Sequence, residues 1–261
     1  MNRLLFLGVG TIAEAVRRAR PELPALGTTR NAPDERFEHI RPISTLDSAA
    51  FRAAAADAHV LVSFPPDGHT DHAFAELCGS AARIVYLSST AVYPATAGVV
   101  SEKSELSSSS ERARLRVAAE TTWREVGASV VRLPAFYGIG TGLHISLARG
   151  TFRLPGAGSN IVSRVHEDDA ARFVCAAFDA PARSLLLAGD DEPAPVAEVV
   201  SFVCSLFGLP APASSAGDDV PLSLRGDRSI QNQATKSAFN VQLAYPSYRE
   251  GYRAIHEHCR R

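Results

Sequence analysis

Leu4-Leu5-Phe6-Leu7-Gly8-Val9-Gly10-Thr11-Ile12-Ala13 decides how this chain is read. Four apolar residues of strand type run straight into G-x-G-x-x-A, and a helical pattern over Ile12–Arg20 follows. Each position has its own physical reason. Gly8 permits the tight turn, Gly10 lets a pyrophosphate approach the backbone, and Ala13 is small enough for the helix to pack closely on the strand. The helix that opens at Thr11 and Ile12 presents free N–H groups and the positive end of its dipole, both suited to phosphate. Glycines alone would mark a turn. Placed between a strand and a helix, they mark a dinucleotide site.

The next strand pattern, Ala25–Thr29, carries the residue that distinguishes the two nicotinamide dinucleotides. A site that reads the ribose 2′-hydroxyl places Asp or Glu about 20 residues past the glycines. Here the strand ends Gly27-Thr28-Thr29-Arg30, with no acid. Arg30 suits a charge-assisted pair with a 2′-phosphate, and Thr28 or Thr29 can donate to the same group. The expected cofactor is NADP, favoured over NAD.

Farther along, short apolar runs alternate with helical patterns. Strands are expected at Arg3–Leu7, Ala25–Thr29, His59–Phe64, Arg83–Ser88, Ser129–Leu133 and Ser184–Ala188. Helices are expected near Ile12–Arg20, Ala49–Asp57, Asp71–Ser80, Glu111–Val126, Glu167–Ala180 and Val196–Phe207. Continuous apolar strands separated by helices imply a parallel sheet covered on both faces. The fold class is therefore α/β, a Rossmann-type doubly wound parallel sheet with a small C-terminal substrate lobe. Residues 1–136 and 165–190 are assigned to the dinucleotide-binding domain, and 137–164 with 191–261 to the lobe.

Composition narrows the function classes. Of the 261 residues, 27 are Lys or Arg and 28 are Asp or Glu. That balance, with no basic stripe, argues against a nucleic-acid surface. Cys78, Cys175, Cys204 and Cys259 are widely spaced and form no CxxC pair, which suits a reducing compartment. No apolar run reaches membrane-spanning length and no leader pattern precedes Leu4, so a cytoplasmic protein without a membrane partner is expected. His69 and His72 form H-x-x-H with no third ligand in view, and no metal site is assigned.

At Tyr86-Leu87-Ser88-Ser89-Thr90-Ala91-Val92-Tyr93 the chain resembles the short-chain dehydrogenase/reductase superfamily, in its extended or atypical NAD-dependent epimerase/dehydratase branch. Arg132-Leu133-Pro134-Ala135-Phe136-Tyr137-Gly138, Arg164-Val165-His166-Glu167-Asp168-Asp169, Asp190-Asp191-Glu192-Pro193, Arg228-Ser229-Ile230-Gln231-Asn232 and Tyr245–Gly251 resemble further elements of that branch, in its order. The resemblance implies a seven-stranded parallel sheet with the cofactor across the strand ends. It places Phe64 and Pro65 near the adenosine or nicotinamide ribose, Ser88 and Ser89 beside the nicotinamide, and Pro134 beneath its ring.

The resemblance also exposes a departure. The superfamily's Tyr-x-x-x-Lys pair would fall at Arg112 and Arg116, within Glu111-Arg112-Ala113-Arg114-Leu115-Arg116. Arg116 keeps a charge able to bind ribose hydroxyls, but a guanidinium at Arg112 is too weak an acid to donate a proton. Tyr93 is the first candidate donor, with Arg112 or Arg116 stabilising its phenolate, and Tyr137 the second. Ser88, Ser89 or Thr90 can polarise a carbonyl, and Arg112 can clamp an anion. The expected protein is an NADP(H)-dependent oxidoreductase or epimerase acting on a small carbonyl or alcohol substrate, anionic in one variant of the reading. The alternative is an NADP-binding sensor or regulator without turnover. The helices bearing Asp71–Ser80 and Arg112–Trp123 would form the face of a homodimer.

Overall fold

The computed structural model describes residues 3–28, 40–42, 47–107, 109–215 and 226–260. Along the chain, β1 (Leu4–Leu7) leads into α1 (Thr11–Ala19), then β2 (Ala25–Thr28), β3 (Ile40–Pro42) and α2 (Ser48–Ala55). β4 (His59–Val62), α3 (Thr70–Leu77), β5 (Arg83–Ser89), β6 (Gly98–Val100), α4 (Glu111–Glu125) and β7 (Ser129–Leu133) follow. Seven strands form one sheet whose order closes on β12 (Leu185–Leu187): β12-β7-β5-β4-β1-β2-β3, with every neighbouring pair parallel. The chain winds outward from β1 to β3, then returns to β4 on the other side of β1. The carboxyl ends of β1 and β4 thus flank a topological switch point, where sheets of this kind bind ligands.

The period of two in a strand explains the two covering layers. Leu4 and Phe6 pack with Ile12, Val16, Phe173 and Val174, the last two from α6 (Glu167–Asp179). Leu5 and Leu7 face the other way, into Phe51 of α2, Ala75 of α3 and Trp123 of α4. Trp123 Nε1 donates to Asp71 Oδ1 at 2.7 Å, tying α4 to α3. β1 and β7 are buried along their whole lengths, as strands covered on both faces must be.

A second, four-stranded sheet stands beyond the carboxyl edge of the first. Its order is β13 (Ala194–Pro195), β10 (Ile161–Val162), β15 (Arg228–Ile230), β6. α5 (Leu143–Ala148), α7 (Val196–Phe207) and α9 (Tyr248–Cys259) pack beside it around Leu147, Val199, Val203, Tyr248 and Tyr252. The C-terminal segment is pinned back on α6: Asp169 accepts from Ala244 N at 2.7 Å and Tyr245 N at 2.9 Å. The second sheet and β3 escape the sequence reading because strands of two or three residues carry no periodicity.

Candidate dinucleotide and substrate site

The glycine turn is clamped from both neighbouring strands. Gly8 has φ +90°, a conformation that favours glycine, and a Cβ there would stand 3.1 Å from Phe64 N. Its N–H donates to Thr28 Oγ1 at the end of β2 (3.0 Å), and Ser63 Oγ, just past β4, donates to its carbonyl (2.8 Å). Thr28 therefore braces the turn, a role its sequence position did not suggest. Gly10 caps α1 in an extended conformation with no side-chain hydrogen bond, and a Cβ added there meets nothing within 4 Å. Open space thus lies over the uncapped start of a nine-residue helix, with Thr11 and Ile12 in its first turn. This cradle could take a pyrophosphate. Thr29 and Arg30 lie outside the described residues. Phe64 is half-buried, its ring 5.9 Å from that of Phe74, and Pro65 beside it is exposed.

From Ser63 a cavity of about 570 Å³ extends past the ends of β5 and β7 to β10 and β15. It gathers residues read separately from the sequence: Ser88, Ser89, Tyr93, Arg112, Arg116 and Pro134 all line it. A wider groove of about 1250 Å³ lies against α1 and α6, among residues such as Arg18, Asp168, Arg172 and Asp179. It contains none of these six residues.

Beneath the cavity runs a buried polar network. Arg132 on β7 donates to Glu120 of α4 through Nε (3.0 Å) and NH2 (2.6 Å), and through NH1 to the Tyr93 hydroxyl (2.8 Å). Ser88 Oγ donates to the same Glu120 carboxylate at 2.5 Å. The Ser88 proton is therefore committed inside the protein. Ser89 differs: its Oγ accepts from Ala91 N (3.2 Å), and its own proton meets no acceptor among the described residues. Tyr93 likewise accepts from Arg132 and keeps a proton without an acceptor there. Burial pushes the Tyr93 phenol above its ordinary value, against the opposing pull of the Arg132 guanidinium.

The cation placed to stabilise a Tyr93 phenolate is thus Arg132. The expected partners Arg112 and Arg116 line the same cavity, but neither hydrogen-bonds the Tyr93 hydroxyl among the described residues. Arg116 NH1 donates to Leu87 O (3.2 Å) and, longer, to Tyr86 OH (3.4 Å); its Nε is buried without a partner. Arg112 is exposed in the first turn of α4. Tyr137 is absent from the cavity wall: its ring stacks on Tyr252 at 4.5 Å. The sequence reading missed Glu120 and Arg132 as site residues. Arg132 stood inside a quoted segment and Glu120 inside the helix expected at Glu111–Val126, but nothing local shows that residues twelve apart pair across a crossover. His72 Nε2 lies 3.4 Å from Thr122 Oγ1, and no group of three or more His, Cys, Asp or Glu side chains could hold a metal among the described residues.

No protein-family model matches the chain. Its sequence is similar to a 3-diazoavenalumate denitrifying reductase from Streptomyces, 27% identical over 92% of this chain and 81% of the relative. Among solved structures it is similar to a functionally unknown conserved protein from Silicibacter pomeroyi, with TM-score 0.80, 28% identity and 99% of each chain covered. It is also similar to MoeE5 in complex with UDP-glucose and NAD, with TM-score 0.80, 20% identity, and coverage of 99% of this chain and 98% of that one. Strand order, the clamped glycine turn at the switch point and these likenesses agree: the chain has a Rossmann-type α/β fold, shared with MoeE5.

Proposed function

We propose that the chain is an NADP(H)-dependent oxidoreductase or epimerase acting on a small carbonyl or alcohol substrate with a non-standard proton donor. One observation carries this reading: the open, clamped glycine turn and the hydroxyl-lined cavity share one sheet edge, with Ser63 touching both. Similarity to the Streptomyces 3-diazoavenalumate denitrifying reductase and to MoeE5, a protein seen in complex with NAD, supports it. In this reading the turn at Gly8 and Gly10, with the backbone of Thr11 and Ile12, holds the pyrophosphate. Thr29 and Arg30 select the 2′-phosphate. Phe64 and Pro65 flank a ribose, Ser88 and Pro134 border the nicotinamide, and Arg116 serves the ribose hydroxyls. When bound, the cofactor supplies or accepts a hydride.

The protein's own part is proton handling and orientation. Ser89 donates to the substrate oxygen. Tyr93 moves the proton, and Arg132 stabilises the phenolate left behind. Ser88 keeps its bond to Glu120 and fixes the strand end. α4 contains neither Tyr nor Lys, and this favours a second reading, an NADP-binding regulator without turnover. Fluorescence titration with NADPH and NADH tests the cofactor: NADPH should bind several-fold more tightly, and Arg30→Ala should remove a preference of about 1–3 kcal/mol. Equal affinities would refute the Arg30 assignment. Single-turnover oxidation of bound NADPH by small carbonyl compounds then separates enzyme from regulator.

A further inference from the structure

The cavity wall is charged in one direction only. Arg112, Arg116 and Arg228 line it, and no Asp or Glu does so among the described residues. The chain as a whole has slightly more acidic than basic side chains, so this one-sided wall departs from its surface at large. Low-dielectric walls lined by one sign of charge focus the field and concentrate ions of the opposite sign.

Arg228 is the most constrained of the three. It lies on β15, in the second sheet, away from the glycine turn. Its Nε donates to Pro94 O (3.0 Å) and its NH1 to Thr90 O (3.2 Å), so two neutral carbonyls fix the plane of the guanidinium. No carboxylate pairs with it among the described residues, and NH2 makes no hydrogen bond there. Half-buried, it is pushed down from the ordinary arginine value by desolvation. A positive charge held out of water without a counter-ion is costly unless a ligand provides one. The neighbouring Gly226 leaves the NH2 end uncrowded by a side chain: a Cβ at Gly226 would lie 3.0 Å from Arg228 NH2. Gly226 lines the same cavity, as do the apolar side chains of Leu133, Phe136, Ile161 and Ile230.

We infer that the cavity takes an apolar-bodied carboxylate, whose oxyanion is held at the free end of the Arg228 guanidinium, with Arg112 adding a second positive charge. The NH1–NH2 edge of a fixed guanidinium matches the planar fork of a carboxylate. The apolar residues then receive the rest of the molecule and leave its carbonyl or hydroxyl to Ser89 and Tyr93. This inference rests on reading the cavity as the substrate end of a dinucleotide site. It gives that site a substrate class, organic acids rather than neutral carbonyl compounds.

The test is calorimetric titration of the full chain, with and without NADP, using cinnamate, methyl cinnamate, cinnamamide and phenyl phosphate. Cinnamate should bind about tenfold or more tightly than its ester and amide, the difference expected for a charged hydrogen bond. Phenyl phosphate should bind more weakly than cinnamate. Arg228→Gln should abolish the preference for the acid while NADP affinity stays within about twofold. Arg228→Lys keeps the charge without the fork and should retain part of the preference, more salt-sensitive than in the unmodified chain. Equal binding of acid and ester, tighter binding of the phosphate, or an undiminished preference in Arg228→Gln would each overturn the inference. Absence of carboxylate binding to the unmodified chain would overturn it too, and that comparison needs no variant to fold. Absence of NADP binding with an intact acid preference would instead count against the function proposed above and leave the anion subsite standing.

Discussion

A Cβ at Gly10 would meet no protein atom within 4 Å, and the backbone there is extended, a conformation that β-branched residues adopt. What it would meet is the space above the α1 N-terminus. Gly10→Val should therefore leave stability within about 1 kcal/mol while abolishing dinucleotide binding. Denaturation and fluorescence titration of the same sample check both halves, and normal binding by the folded variant would show that phosphates lie elsewhere. Tyr93 makes a complementary case. Removing its hydroxyl in Tyr93→Phe should lower single-turnover hydride transfer by about 10²-fold, the size of one general acid. It should also destabilise by about 1–3 kcal/mol, because Arg132 NH1 is left buried without an acceptor. Arg112→Ala should keep most of the turnover rate, with weakened binding of an anionic substrate. A Tyr93→Phe variant at the unmodified rate, beside an inactive Arg112→Ala, would reverse the assignment.

Two helix contacts decide how the site is held. Glu120 joins α4 to β5 through Ser88 and to β7 through Arg132, and both members of the ion pair have side chains only 6% exposed. Breaking a buried pair from one side leaves an uncompensated charge. Glu120→Gln should cost about 3–5 kcal/mol in urea denaturation, and Glu120→Leu combined with Arg132→Met should cost less than the sum of the two single changes. Loss of under about 1 kcal/mol in Glu120→Gln would mean the pair is dispensable.

The second contact is the start of α6, where the His166 ring nitrogen Nδ1 accepts from Asp168 N (3.2 Å). That bond needs a neutral Nδ1. Burial and the nearby Arg18 drive the imidazole down to about 4, against the opposing charge of Asp168. The unfolded chain protonates near its ordinary 6.5, so between these values only the unfolded state takes up this proton. The contribution of His166 is complete above about 6.5, falls as pH drops towards 4, and is level below that, a loss of about 3 kcal/mol at most. His166→Asn supplies another capping acceptor and should flatten the stability profile across that window. An unchanged slope would assign the acid sensitivity to other groups.

At the scale of the molecule, the doubly wound sheet was legible because each of its main strands is a local fact. Leu4–Leu7, Val60–Val62 and Val130–Val131 are apolar runs in strands bounded by turns, and the helices between them repeat at helical spacing. The phosphate turn was legible for the same reason, since G-x-G-x-x-A states its geometry in six consecutive residues. Short-range chemistry of this kind is carried by neighbours in the chain. The substrate end is not. β6, β10, β13 and β15 are only two or three residues long and meet from positions 98 to 230. Arg132 finds Glu120 and Tyr93 across a crossover, and Arg228 reaches Thr90 and Pro94 more than 130 positions earlier. The sequence by itself determined the sheet, its helical cover and the site of the glycine turn. Only the tertiary structure decided which serine keeps a free proton, which cation serves Tyr93 and which arginine faces the cavity without a carboxylate. Those are properties of long-range packing, where burial removes water and leaves each charge dependent on the partner that the fold brings to it.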